Sequence, residues 1–403
     1  MTSKNEAEKG LSFTLSEEQE KVRDLARRFA QEEIRPVALK FEDDREGTLA
    51  EQVIDKAAQA GILALAVPQE FGGGGGSNVE CSLVLEELAW GCGGIATAIG
   101  ASWFGQTPIL MAASQELRRQ IFPPLAGRDK GRLVCMAMTE PAGGTDIENP
   151  HMHSRTVRTI AREDGDYFVI QGKKIWPSNS TNAWLYTVVA TVDPAQGDAG
   201  SCLFAVPADS PGLSVGKSIP KMGMHADQNA EIIFSDVRVP RQNLLGKIGD
   251  GARLLQRTLI YNRVGAAAIA VGIARGAFET ALDWAKRRIT MGRPLIEHPI
   301  IAAMIGDMAT GIEAARLLYL RAAWVNAQPK GARMDWSTMA KVYASDMAMR
   351  VTTDAVQIMG AYGYAKEYGV EKAMRDAKIV QIFIGANEFA RQLVGELTAG
   401  GNR

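Results

Sequence analysis

The 403-residue chain is longer than one hydrophobic core usually organises, and its 46% apolar content supplies enough material for two or three domains. Its 45 Lys and Arg residues nearly balance 46 Asp and Glu, a formal net charge of -1. That balance argues against the basic surface of a nucleic-acid or anionic-membrane binder, so an anionic ligand needs local groups. Cys81, Cys92, Cys135 and Cys202 form no CxxC pair, so no disulfide framework, no zinc site and a reducing compartment, the cytoplasm, are expected.

The first residues, MTSKNEAEKG, have no apolar run and read as a disordered lead-in over residues 1–11 rather than a targeting signal. Ser16 and Gln19 have capping-box spacing, and Val22, Leu25, Ala26, Phe29, Ala30 and Ile34 recur at helical spacing until Pro36. Helical text continues at 50–65, 79–90 and 96–113, so residues 12–131 read as an α domain. The five glycines at 72–76 precede no Gly-Lys-Ser/Thr and follow no strand, so a flexible turn is expected rather than a phosphate cradle. Over 132–246 the pattern turns to β, with runs at 167–170, 185–192, 202–206 and 231–239. His151 and His153 lie in a loop-like insert without a third ligand, so no metal is expected. Residues 247–403 return to helix, at 251–290, 297–328, 335–360 and 371–396, which suggests a bundle. Small residues at 265–281 would let helices approach closely. No apolar run reaches the ~20 residues of a membrane helix, so no membrane insertion is expected.

Five stretches carry chemistry: MAMTEPAGGTD at 136–146, KIWPSN at 174–179, YNR at 261–263, KRRITMGRP at 286–294, and QIMGAYG at 357–363, with the helix at 371–391 running into Gly385 and resuming beyond it. In this order they resemble the acyl-CoA dehydrogenase flavoenzymes over roughly residues 12–396. The resemblance implies an α+β fold: an N-terminal helical domain, a middle β-barrel and a C-terminal four-helix bundle. It also implies FAD, an acyl-CoA thioester substrate, an electron-transfer flavoprotein as electron acceptor and a homotetramer. Carried over residue by residue, it assigns Met138, Thr139, Thr145, Trp176, Ser178, Arg288, Met291, Gln357, Gly360, Ala361 and Glu388 to the flavin. Thr145, Arg263, Ile384 and Gly385 fall to the substrate. His225, in a loop the family places near the substrate, is a weaker candidate, and Trp103 is a candidate wall of the acyl pocket.

Three departures matter. Pro177 removes a backbone donor beside Trp176, and Ala361 adds a methyl where the family has Gly. The third concerns the base: the family's usual seat for the glutamate that removes the α-proton is Ile384, and the alternative seat is Asn262, so neither holds a carboxylate. Loss of a general base costs ~10²–10⁴ in rate, whereas the backbone N–H of residue 384 still serves the thioester carbonyl in an oxyanion-type contact. The leading reading is an acyl-CoA dehydrogenase with a relocated base or an acyl group that is cyclic or already unsaturated. The stretch 91–106, where a relocated acid is usual, contains no Asp or Glu. Alternatives are non-oxidative elimination such as desulfination, and a flavin-binding partner protein without turnover.

Overall fold

The computed structural model describes residues 14–329 and 331–400, so the expected lead-in at 1–11 lies outside the described residues. The N-terminal helices are α1 (Glu17–Phe29), α2 (Thr48–Gln59), α3 (Asn78–Gly91), α4 (Gly93–Ala112) and α5 (Gln115–Ala126). The Ser16–Gln19 capping box forms and satisfies two of the donors that a helix start leaves free. The helix expected at 50–65 is divided: α2 ends before Gly61, which sits at φ +80, and a 3₁₀ turn follows at Leu63–Ala66. Helix α5 escaped the sequence reading, and Pro123 and Pro124 fall in its last turn.

The glycine run is not a flexible turn. The N–H groups of Gly74, Gly75 and Gly76 donate to the carbonyls of Ala64, Val67 and Leu65 at 2.8–2.9 Å. A Cβ at Gly73 would stand 2.1 Å from the Val67 oxygen. Those donors are spent on the preceding 3₁₀ turn, so none of the three is available to a phosphate.

The middle part holds β1 (Leu133–Ala137), the short helix α6 (Thr145–Glu148), β2 (Ile160–Asp164), β3 (Tyr167–Lys174), β4 (Ala183–Thr191), β5 (Ser201–Pro207), β6 (Leu213–Val215) and β7 (Ile232–Pro240). They form one seven-stranded sheet in the order β1-β4-β2-β3-β7-β6, with β5 paired antiparallel to β4. Strands β4 and β5 are buried on both faces, which explains their continuous apolar text.

The C-terminal helices are α7 (Gly251–Arg287), α8 (Pro299–Ala327), α9 (Met334–Met359), the single turn α10 (Ala361–Tyr364), α11 (Val370–Val380) and α12 (Asn387–Ala399). A two-stranded hairpin, β8 (Ile289–Thr290) and β9 (Arg293–Pro294), joins α7 to α8. The small residues of α7 do allow close approach: a Cβ at Gly272 would meet the Glu86 carbonyl of α3 at 2.2 Å, and one at Gly276 the Trp90 carbonyl at 2.9 Å. Beside this contact the buried Glu86 carboxylate takes hydrogen bonds from Arg275, Arg316 and Tyr319, tying α3, α7 and α8 together. Helix α7 is long and apolar enough to span a membrane, but 78% of its most apolar window is buried in the protein, as in a core helix.

Candidate active site

The helical stretch at 371–396 breaks around Gly385, as the sequence suggests. Between α11 and α12 the chain turns at Ile384 (φ +53) and Gly385 (φ +85). A β-branched residue in the left-handed region is a strained outlier, and such strain persists only where neighbours over-determine it. The neighbours are identifiable. Arg263, fully buried on α7, donates from Nε to the Ile384 carbonyl at 3.4 Å and from Nη1 to Thr338 Oγ1 at 2.8 Å. Lys341, fully buried on α9, donates from Nζ to the Gly385 carbonyl at 2.7 Å and to Asn387 Oδ1 at 2.8 Å. From the sheet side, Thr145 Oγ1 accepts the Ala386 N–H at 3.4 Å.

The structure therefore brings Thr145, Arg263, Ile384 and Gly385 together. It adds two groups that sequence reading missed. One is Lys341. The other is Glu148, a buried carboxylate at the end of α6 whose Oε2 lies 3.7 Å from Arg263 Nη2. Neither of those two atoms has a hydrogen-bond partner. A Cβ at Gly385 would lie 3.1 Å from Arg263 Nη2 and 3.2 Å from Glu148 Oε2, so the charged pair abuts the turn. Burial pushes the Glu148 carboxyl up to about 7, against the opposing pull of Arg263, Lys341 and the Gly385 backbone. Burial also holds the Lys341 ammonium down to about 7, with Glu148 pulling the other way. Both had a faint sequence signal, since each lies three residues beyond a hydroxyl on the same helix, Glu148 beyond Thr145 and Lys341 beyond Thr338.

Asn262 faces elsewhere, donating to the Thr258 carbonyl at 2.9 Å and to Thr107 Oγ1 at 3.5 Å on α4. Trp103 is buried with its Nε1 on the Leu63 carbonyl at 3.0 Å. His225 lies in another network, between Glu42 Oε1 at 2.9 Å and the Lys221 carbonyl at 2.8 Å. His151 and His153 pair separately with Glu396 and Asp198, and the described residues contain no cluster of metal-ligating side chains.

At the end of β1, Met138 and Thr139 are pinned to the end of β3. The buried Lys174 Nζ donates to the Met138 carbonyl at 3.0 Å and to Glu140 Oε1 at 2.8 Å, and the Ile175 N–H donates to the Thr139 carbonyl. Trp176 then sits at φ +74 with its carbonyl held by Asn229 Nδ2 at 2.7 Å and its side 52% exposed. Ser178 spends its hydroxyl on Asp227 Oδ2 at 2.7 Å.

Family models for the N-terminal, middle and C-terminal domains of acyl-CoA dehydrogenase match residues 16–129, 135–237 and 249–398. The chain belongs to the acyl-CoA dehydrogenase family. It is 38% identical over 381 residues to a cyclohex-1-ene-1-carbonyl-CoA dehydrogenase of Geobacter metallireducens, covering 94% of this chain and 98% of that one. It is 36% identical to an acyl-CoA dehydrogenase of Bacillus subtilis, covering 96% and 99%. The solved butyryl-CoA dehydrogenase of Megasphaera elsdenii superposes with a TM-score of 0.89 at 34% identity, covering 96% and 100%.

As an acyl-CoA dehydrogenase the enzyme is FAD-dependent, and its own residues fit that cofactor. An indole held by strained backbone with half its surface in water is a stacking face without a partner. A Cβ at Gly144, just before Thr145, would meet nothing within 4 Å, so the backbone there borders open space. Met138, Thr139, Thr145 and Trp176 would hold the flavin ring along this edge. Ser178 lies beside Trp176 with its hydroxyl committed to Asp227, and Glu388 lies near Lys341. Arg288 stands over the Tyr362 ring at 5.5 Å, Met291 at the tip of the β8–β9 hairpin is 90% exposed, and Gln357, Gly360, Ala361 and Glu388 are exposed. When bound, the flavin supplies a two-electron hydride acceptor.

Proposed function

We propose that this acyl-CoA dehydrogenase oxidises the α,β bond of a cyclic or already unsaturated acyl-CoA thioester, with the α-proton leaving for a group other than residue 384. The observation that carries this reading is the turn itself. Arg263, Lys341 and Thr145, on three separate elements, hold the Ile384 carbonyl, the Gly385 carbonyl and the Ala386 N–H, although residue 384 brings no acid. A turn kept this tightly for its backbone serves as the seat of the thioester carbonyl, at the Ile384 N–H. Half-buried Thr145 lines the path of the CoA chain, while the fully buried Arg263, expected at the substrate, supports the turn through the Ile384 carbonyl instead. The cyclic acyl group follows the kinship to enzymes named for cyclohexene- and cyclohexane-carbonyl-CoA. Ile384, half-buried and packed against two apolar clusters, gives a ring an apolar wall where a glutamate would give a charge.

In this reading the exposed hairpin, with Arg288 and Met291, and the exposed Gln357, Gly360 and Ala361 meet the flavin nucleotide of a neighbouring subunit in a homotetramer. Electrons leave to an electron-transfer flavoprotein in the cytoplasm. The test is the anaerobic visible spectrum of the purified protein as saturated, cyclic and cyclic-enoyl thioesters are added in turn. Bleaching by a cyclic thioester is the expected result. A flavin that stays yellow while thioester is consumed would replace dehydrogenation by non-redox elimination, and a protein that purifies and reconstitutes without flavin would be the non-catalytic partner.

A further inference from the structure

We propose that His225 is a protonation-dependent latch which, through the loop 221–229, positions the Trp176 edge of the flavin site. The proposal goes beyond the dehydrogenase reading, and rests on it only in taking Trp176 as the stacking face of the flavin. Its first support is the set of partners around the imidazole. Nδ1 faces Glu42 Oε1 at 2.9 Å and Nε2 faces the Lys221 carbonyl at 2.8 Å. Both partners are acceptors: a backbone carbonyl has no proton to give, and the other oxygen of Glu42 already takes Arg375 Nη2 at 2.6 Å. Either neutral tautomer carries a single N–H, so only the imidazolium fills both bonds.

The second support is where the ring sits. Glu42 lies in the 3₁₀ turn Lys40–Glu42, His225 in the loop between β6 and β7, and Arg375 on α11, so this junction joins all three parts of the chain. The charged groups around it are committed. Arg375 also donates to Glu371 at 2.7 Å and to the Met222 carbonyl at 2.8 Å. Lys221 Nζ is spent on the Asp227 carbonyl and Asn229 Oδ1, and Asp376 accepts Lys372 Nζ and the Met224 N–H. That leaves Glu42 as the carboxylate that holds the ring.

The third support is what the loop carries. Asp227 Oδ2 accepts the Ser178 hydroxyl and Asn229 Nδ2 holds the Trp176 carbonyl, both at 2.7 Å. Gln228 donates to the His225 carbonyl at 3.0 Å and packs on Gly47, where a Cβ would meet its Cγ at 2.9 Å. Trp176 keeps its φ of +74 because such neighbours over-determine it. When the ring gives up a proton, one of its two bonds is lost, and with it the hold on the loop of either Glu42 or the Lys221 carbonyl. The latch is therefore closed at low pH and loosens as pH rises.

The test is hydrogen–deuterium exchange of the FAD-loaded enzyme, read by mass spectrometry in peptides covering 174–182 and 219–230 from about pH 5 to about pH 8, the span in which histidine changes charge. The reporters are the hydrogen-bonded N–H groups of Ser180, Met224, Asp227 and Ala230, with β4 as the internal reference for the chemical exchange rate. Release of FAD is followed by its fluorescence in the same samples. Relative to β4, wild-type exchange in both peptides is expected to rise about tenfold or more across this span, as one charge-assisted bond is lost, with FAD release rising in step. His225→Gln is expected to exchange at the fast rate at every pH, and His225→Arg, a cation throughout, at the slow rate. A wild-type ratio flat within about twofold, or a His225→Gln enzyme that keeps the wild-type pH profile, overturns the latch. Exchange that follows pH without FAD release overturns its reach to the flavin where Trp176→Ala does speed that release. Where Trp176→Ala does not, the flavin-edge reading falls instead and the latch stands on exchange alone. Should the His225 variants not fold, the wild-type profile decides.

Discussion

Replacing Gly385 with Ala tests the packing of the turn. The residue sits at φ +85, where a Cβ costs about 1–2 kcal/mol by backbone strain alone. The added methyl also meets Arg263 Nη2 at 3.1 Å and Glu148 Oε2 at 3.2 Å. These are side-chain ends, but they cannot swing away freely, because Arg263 is anchored on Ile384 and Thr338 inside the protein. Overpacking of a filled site adds about 1–3 kcal/mol, for a total of about 2–5 kcal/mol. Gly165, in the β2–β3 turn, supplies the control: it too has positive φ, +59, but a Cβ there meets nothing within 4 Å. Gly165→Ala should cost only the backbone part. The assay is the urea midpoint of both variants at fixed protein and FAD concentration, with unchanged m-values. Equal losses for the two, within about 0.5 kcal/mol, would refute the claim that the charged pair crowds the turn.

Three further outcomes are expected. Gly73→Ala should destabilise by about 2 kcal/mol or more, since its Cβ would press on the Val67 carbonyl, while 10-fold changes in added inorganic phosphate (on the order of millimolar) leave the unfolding temperature unmoved. Lys174→Met leaves the buried Glu140 without its cation and the Met138 carbonyl without a donor, so stability should drop by about 3–5 kcal/mol, with faster release of FAD read by its fluorescence. Glu148 gives a pH signature. Its folded carboxyl titrates at about 7, above the ordinary 4.5, so the proton it retains stabilises the fold fully below pH 4.5, and that contribution is lost as pH rises to about 7. Glu148→Gln should therefore gain on the wild type by about 2–3 kcal/mol between pH 4.5 and 8. An unchanged difference in urea midpoints would contradict the burial account.

The order α, β, α was legible because helical and alternating patterns change where the sheet begins and ends, and because Ser16–Gln19 is a local signal that the structure obeys. The Ala and Gly density of α7 likewise announced a close contact, though not that α3 is the partner. The glycine run misled for a physical reason: its conformation is set by hydrogen bonds to carbonyls at 64, 65 and 67, which composition does not encode. At the site, the resemblance located the turn and named Arg263, but it also directed attention to the two usual acid positions and to 91–106. Glu148 and Lys341, only faintly marked in the sequence by a hydroxyl three residues before each, stand out when α6, α7 and α9 converge on residues 384–386. Neither residue's charge, read along the chain, says that it is buried.

The measurement that tests the account most directly is anaerobic rapid mixing of the FAD-loaded enzyme with cyclohexanecarbonyl-CoA, α-protonated against α-deuterated. The account predicts that the flavin bleaches and that α-deuteration slows it several-fold, on the order of a rate-limiting proton transfer to a general base. A flavin that remains oxidised while the thioester binds, or that bleaches with no sensitivity to α-deuterium, would contradict it.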